Sequence, residues 1–133
     1  MSTELAFGVI TNLDSSILLL HQSSPQGLWE LPGGEVKLGE SPAETVQRAT
    51  REVLGVEVLA DRELYRQDFA RNGLEYECRW LAAMILRDGR PYPQQAKYDK
   101  CQFYTVFQLR QLDMLAPNMR NILKKVVDGD FTL

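Results

Sequence analysis

The stretch GGEVKLGESPAETVQRATREVLGVEV, residues 33 to 58, decides the fold. Its glycine pair interrupts any regular strand and lets backbone come close to a neighbour or a ligand. Ser41 is a natural N-cap, Pro42 fits the first helical position, and Glu44, three residues after the cap, completes a capping box. Gly55 can end the helix in the left-handed conformation. Together these signals predict a helix over about residues 42 to 54. At about 100° per residue, Ala43, Val46, Ala49, Thr50, Val53 and Leu54 form one stripe fit for a core. Arg48 lies four residues from both Glu44 and Glu52, a spacing that favours ion pairs on a helix face.

Outward from this helix the chain alternates strand and turn. LAFGVIT (5 to 11) and SILLLHQ (16 to 22), separated by the turn formers Asn12 and Asp14, predict a β-hairpin. LWELPGGEV follows, broken by Pro32 and the glycines. Residues 57 to 70 mix β-branched, aromatic and charged side chains as an exposed antiparallel strand does. A turn at Arg71-Asn72-Gly73 comes next, then Leu74, Tyr76, Cys78 and Trp80 alternate with Glu75, Glu77 and Arg79, a period of two with one core face. AAMIL continues this as a strand buried on both sides. The segment RDGRPYPQQAKYDK predicts a loop of about fourteen residues, long enough to invite a function. QFYTV forms a further strand, FQLRQL a short helical turn, and PNMRNILKKVV an amphipathic helix with Pro117 near its start.

At 133 residues, 44% hydrophobic and 25% charged, the chain suits one domain, residues 1 to 133, with a real core. The net charge of -3 gives no basic footprint for nucleic acid or an anionic membrane surface. No apolar stretch approaches the ~20 residues of a membrane span. Cys78 and Cys101 lack metal or redox spacing, so reduced thiols and a cytoplasmic location are expected.

Residues 34 to 56 resemble the Nudix box, G-x5-E-x7-R-E-U-x-E-E-x-G-U with U aliphatic. Gly34, Glu40, Arg48, Glu52, Gly55 and Val56 match in register, whereas Ala49, Thr50 and Val53 depart from it. The flanking elements agree, so the resemblance covers essentially the whole chain and implies an α/β fold, the Nudix-type α/β/α sandwich with a mixed β-sheet between helices. Within the superfamily, QGLWELPGGEV, RATREVLGV and PQQAKYDKCQF followed by LAPNMR are similar to the GDP-mannose mannosyl hydrolase branch.

What the resemblance implies is hydrolysis of a nucleoside diphosphate linked to another group, a sugar nucleotide favoured. Mg²⁺ or Mn²⁺ would be held by acids on the helix and by the carbonyl of Gly33. Cleavage of such a linkage depends on positioning and charge neutralisation, which the ion supplies. Positions 49, 52 and 53 span a single helical arc, so three carboxylates there would converge. This chain keeps Glu52 alone, and the ion is expected to be weakly held or absent.

Catalytic candidates are therefore Glu52, Arg48 and Asp99, with Gly33 and Glu52 as metal ligands. Substrate-binding candidates are Trp29, Lys97 and Tyr98, joined on the long loop by Tyr92. Alignment with relatives puts either Lys97 and Tyr98 or Asp99 where they carry a ligand or base. An ammonium there would bind phosphate as a point charge. Plainer roles stand beside these: Glu44 as a cap, Glu40 as a loop or arginine partner, Arg48 as a brace, His21 as a surface or edge residue, and Trp29 and Trp80 as core.

The expected partner is a small nucleoside diphosphate derivative, and dimers are common among relatives, so a homodimer is open. The rivals to a hydrolase are a Nudix-fold module that binds a nucleotide or other phosphorylated ligand without turnover, and a structural domain whose cleft is filled by side chains.

Overall fold

The computed structural model describes residues 2–131. Seven strands form one mixed sheet: β1 (Ser2–Thr11), β2 (Ile17–Gln22), β3 (Trp29–Glu30), β4 (Gly33–Glu35), β5 (Val58–Arg71), β6 (Leu74–Ile85) and β7 (Tyr98–Tyr104). Three helices complete it: α1 (Pro42–Leu54), α2 (Val106–Leu109) and α3 (Pro117–Val127). The main path runs β3-β2-β1-β6-β5, with β4 attached to β1 and β7 to β2. The pair β1/β6 is parallel and the other pairings are antiparallel.

Apolar side chains leave both faces of this sheet. Ile17 and Leu19 join Val9, Trp80, Met119 and Ile122 under α2 and α3, while Leu18 and Leu20 join Ala6, Ile10, Val46 and Leu54 under α1. Strands buried on both faces read as continuous apolar runs, as ILLL does. The α/β/α arrangement expected from the sequence is present.

The expected hairpin is only begun. β1 and β2 share one register pair, Thr11 with Ile17, across a turn in which Asn12 Oδ1 accepts the N–H groups of Asp14 and Ser16, each at 3.0 Å. The strands then part. The rest of that edge of β1 is taken by the Pro-Gly-Gly segment, through Gly8 N donating to Pro32 O at 2.8 Å and Val36 N to Glu4 O at 2.9 Å. A Cβ on Gly33 would stand 2.2 Å from the carbonyl oxygen of Ala6, so only glycine admits this approach. The stretch expected to interrupt any strand thus forms a short strand of its own.

Two other expectations change at their ends. Ala82 and Ala83 are buried, but Met84 is 53% exposed opposite Leu59 on β5, on a part of the sheet no helix covers. The long loop occupies residues 86–97, because β7 already begins at Tyr98, with Tyr98 and Lys100 paired to Gln22 and His21 of β2 and Asp99 at the bulge between them. The helix α1 has the bounds its caps predicted: Ser41 Oγ accepts from Glu44 N at 3.1 Å, Glu44 Oε1 from Ser41 N at 3.0 Å, and Gly55 has φ 69°. Among the described residues no helix is long and apolar enough to cross a membrane.

Candidate active site

β4 bonds to β1 through the Ala6–Gly34 pair. In an antiparallel ladder the flanking residues turn their polar groups to the other edge, so the N–H and C=O of Gly33 and Glu35 face away from β1. There Arg48 meets the carbonyl of Glu35. Its Nη2 donates to Glu35 O at 3.1 Å, while its Nε and Nη2 donate to the two Glu40 oxygens at 2.8 and 3.0 Å. Glu40 also accepts from Thr45 Oγ1 at 2.7 Å and from Lys37 N at 3.2 Å. The Arg48 fork first, and the Thr45 hydroxyl next, hold the Glu40 carboxyl at about 2. The capped helix is in this way locked to the glycine edge, and Glu40 is an arginine partner.

Glu52 sits one turn along α1, half exposed, with Arg48 Nη1 at 3.4 Å. Its neighbours at the acid positions face inward: Ala49 is 5% and Val53 8% exposed, and Val53 packs in the core under α1. Among the described residues no three His, Cys, Asp or Glu side chains converge. Glu52 alone, already bonded to an arginine, does not fit a three-carboxylate ion site. Glu44 caps α1 and is not available as a replacement.

Beside the glycine edge opens a cleft of about 500 Å³, walled by Gly33, Gly34, Phe7, Gln22, Lys97 and Tyr98, with Glu30 also on its wall. A second cavity of about 270 Å³ shares Phe7, Gln22 and Glu30 with it and continues to Trp80, Asn118 and Cys78. Burial, then the Glu30 carboxylate beside it, keep the Tyr98 phenol well above its ordinary value and hence protonated. The Lys97 ammonium lies 5.1 Å from the Tyr98 ring centre.

The expected site residues other than Trp29 fall into three groups. Gly33, Lys97 and Tyr98 line the cleft, Arg48 and Glu52 stand together on α1, and Asp99 stands apart. Asp99 Oδ1 is 2.6 Å from His21 Nδ1, and the imidazole holds this carboxyl below the usual range. Trp29 is 8% exposed and enclosed by His21, Tyr104 and the Lys100 ammonium. It belongs to the core, and its ring is not among the cleft walls.

Sequence reasoning missed Glu30, Gln22 and Asn118. The signal for Glu30 was a lone acid inside the apolar LWEL. Asn118 acts as a backbone splice. Its Oδ1 accepts from Leu31 N and its Nδ2 donates to Leu31 O, both at 3.0 Å, while Trp80 Nε1 donates to Asn118 O at 2.7 Å. These bonds fix the start of α3 against the segment leading into the glycine edge.

Residues 2–126 match the NUDIX domain family. No curated protein matches the chain in sequence. Among solved structures, the MutT protein from Methanosarcina mazei Go1 is 18% identical with a TM-score of 0.76, over 97% of this chain and 95% of that one. A NUDIX hydrolase from Nitrosomonas europaea is 15% identical with a TM-score of 0.80, over 98% and 92%. An ADP-ribose pyrophosphatase from Streptococcus suis 89-1591 is 19% identical with a TM-score of 0.75, over 99% and 94%. At these identities the likeness is one of fold, and the family rests on the match over residues 2–126: this chain belongs to the Nudix family.

Proposed function

We propose that the chain binds a nucleoside-diphosphate-linked small molecule, a sugar nucleotide first among them, and hydrolyses it slowly. One observation carries this: the Glu40–Arg48–Glu35 lock sets the glycine edge beside an open cleft, so the frame that would hold a diphosphate is intact. The name of the Streptococcus suis neighbour, an ADP-ribose pyrophosphatase, agrees with the same linkage. The similarity of PQQAKYDKCQF and LAPNMR to the mannosyl hydrolase branch favours the sugar nucleotide.

Slow turnover follows from the helix. With Ala49 and Val53 in the core, Glu52 is the one acid left at the three positions, and positioning must supply most of the rate. Arg48 braces Glu52 from one turn away. Asp99, paired with His21, orients the imidazole rather than serving as a free base.

The test is incubation of GDP-mannose, ADP-ribose and a nucleoside triphosphate with equimolar protein in Mg²⁺, with products followed by chromatography over hours. Release of sugar or of a monophosphate, lost in Glu52→Gln, is expected. Rapid multiple turnover of the triphosphate would overturn the proposal, as would release undiminished in Glu52→Gln. The burial of Ala49 and Val53 favours a second reading, a module that binds without turnover, and no product with any substrate, together with binding of one of them by calorimetry, would establish it over the first.

A further inference from the structure

We propose that the cleft holds the diphosphate of its ligand without a divalent cation, the anion's charge being met by the Lys97 ammonium. This deepens the proposed function and rests on its ligand class. On α1 and at Glu40 the acids that would recruit a cation are absent or engaged. Positions 49 and 53 are packed side chains, Glu40 gives both oxygens to Arg48, and Glu52 accepts from the same guanidinium. A Mg²⁺ ion there would keep most of its waters and gain little from the protein.

The loop 86–97 brings a cation instead, and it does so through the helix end that lost its acid. Every α-helix leaves its last carbonyls without partners. Here Val53 O accepts from Gln94 N at 2.8 Å and Leu54 O from Tyr92 N at 3.1 Å, which docks the loop onto α1. At its other end Ser23 clamps it: Ser23 N donates to Lys97 O and Ser23 Oγ to Ala96 O, both at 2.8 Å. Lys97 is therefore presented to the cleft from a backbone fixed on both sides.

No carboxylate among the described residues pairs with the Lys97 ammonium. Glu30, the carboxylate on the cleft wall, has the Tyr98 hydroxyl beside it. A diphosphate is thus drawn to the Lys97 end, where Ser24 and the outward N–H of Gly33 add donors, while Glu30 is left facing the ligand's hydroxyl-bearing part. An ammonium neutralises phosphate charge without acidifying water, which fits tight binding joined to slow hydrolysis.

The experiment is calorimetry of ADP and of inorganic pyrophosphate with the full chain, in excess EDTA and in excess Mg²⁺. At least one probe should bind in EDTA with a Kd within about threefold of its value in Mg²⁺, weakening as salt rises. Lys97→Gln should weaken it about tenfold or more in EDTA, and Lys97→Arg should restore most of the loss, because charge and not a fork is required. Lys97 is exposed, so both variants fold. Binding that needs Mg²⁺, binding in EDTA indifferent to Lys97→Gln, or no binding of either probe overturns the proposal. Mg²⁺-dependent hydrolysis with no binding in EDTA would sink this inference and keep the proposed function. Binding in EDTA without hydrolysis would do the reverse.

Discussion

Replacing Ala49 and Val53 together by Glu would rebuild a three-acid arc with Glu52, and the structure sets what that costs. Both native side chains face the core, at 5% and 8% exposure. Removing the valine's burial alone costs about 1.5–3 kcal/mol. Each new carboxylate must then stay in a poor dielectric, turn outward, or take up a proton, at up to several kcal/mol. A net loss of roughly 3–5 kcal/mol in EDTA is expected, out of the ~5–15 kcal/mol typical of a folded domain. For a chain of this size that lowers Tm by roughly 10–20 °C. If the acids converge, Mg²⁺ binds the folded state only and returns about 2.7 kcal/mol at a hundredfold excess over Kd. The assay is thermal melting of both proteins in EDTA and across a Mg²⁺ series, with calorimetry for ion binding. The native protein should not respond to the ion. A variant as stable as the native chain in EDTA would refute the packing of positions 49 and 53. A destabilised variant indifferent to Mg²⁺ and Mn²⁺ would refute their convergence with Glu52.

Three further outcomes follow from the same geometry. Ser41→Ala removes one half of the capping box and should cost about 1 kcal/mol by urea denaturation. Asn118→Ala leaves Leu31 N and O without partners and should cost roughly 2–4 kcal/mol, whereas Asn121→Ala, on the cavity wall, should cost less than about 1 kcal/mol. Glu40 has a folded-state value of about 2 against 4.5 unfolded, so its contribution to stability is complete above 4.5 and is lost as pH falls from there toward 2. Urea midpoints of Glu40→Gln should accordingly fall less steeply than those of the native protein across that window.

How far the sequence can be read depends on the range of the interaction. The bounds of α1 were legible because Ser41, Glu44 and Gly55 act on backbone within four residues of themselves. The turn at Asn12 and the period of two in β6 are local in the same sense. Choice of strand partner is not local. LAFGVIT and SILLLHQ carry equally good signals for pairing with each other, yet β1 takes β6 and the glycine edge, since Gly33 permits an approach that no pattern of apolar residues records. The His21–Asp99 and Asn118–Leu31 contacts span 78 and 87 residues, and neither has a spacing signal. Trp29 packs edge-on against Tyr104, with 5.0 Å between ring centres, another long-range contact that no spacing records. Of the candidate residues, Gly33, Lys97 and Tyr98 line one cleft; Gly33 comes from the family resemblance, and Lys97 and Tyr98 from alignment with relatives, while a glycine pair and a long loop are the local marks that accompany them.

The helix separates two tasks that share one stretch of chain. Its frame consists of the cap at Ser41, the Arg48 fork on Glu40 and Glu35 O, and the left-handed Gly55, and none of these bonds passes through position 49 or 53. Loss of acids at those positions therefore leaves the frame standing. It also strengthens the packing, because a buried valine contributes about 1.5–3 kcal/mol where an unpaired buried carboxylate would subtract. Chemistry carried by positions 49 and 53 is for that reason the part of the element most easily given up, while the geometry that sets the glycine edge beside a cleft is the part the fold itself maintains. A ligand site on such a frame would need positive charge from elsewhere, and the loop anchored to the carbonyls of Val53 and Leu54 places Lys97 on the cleft wall.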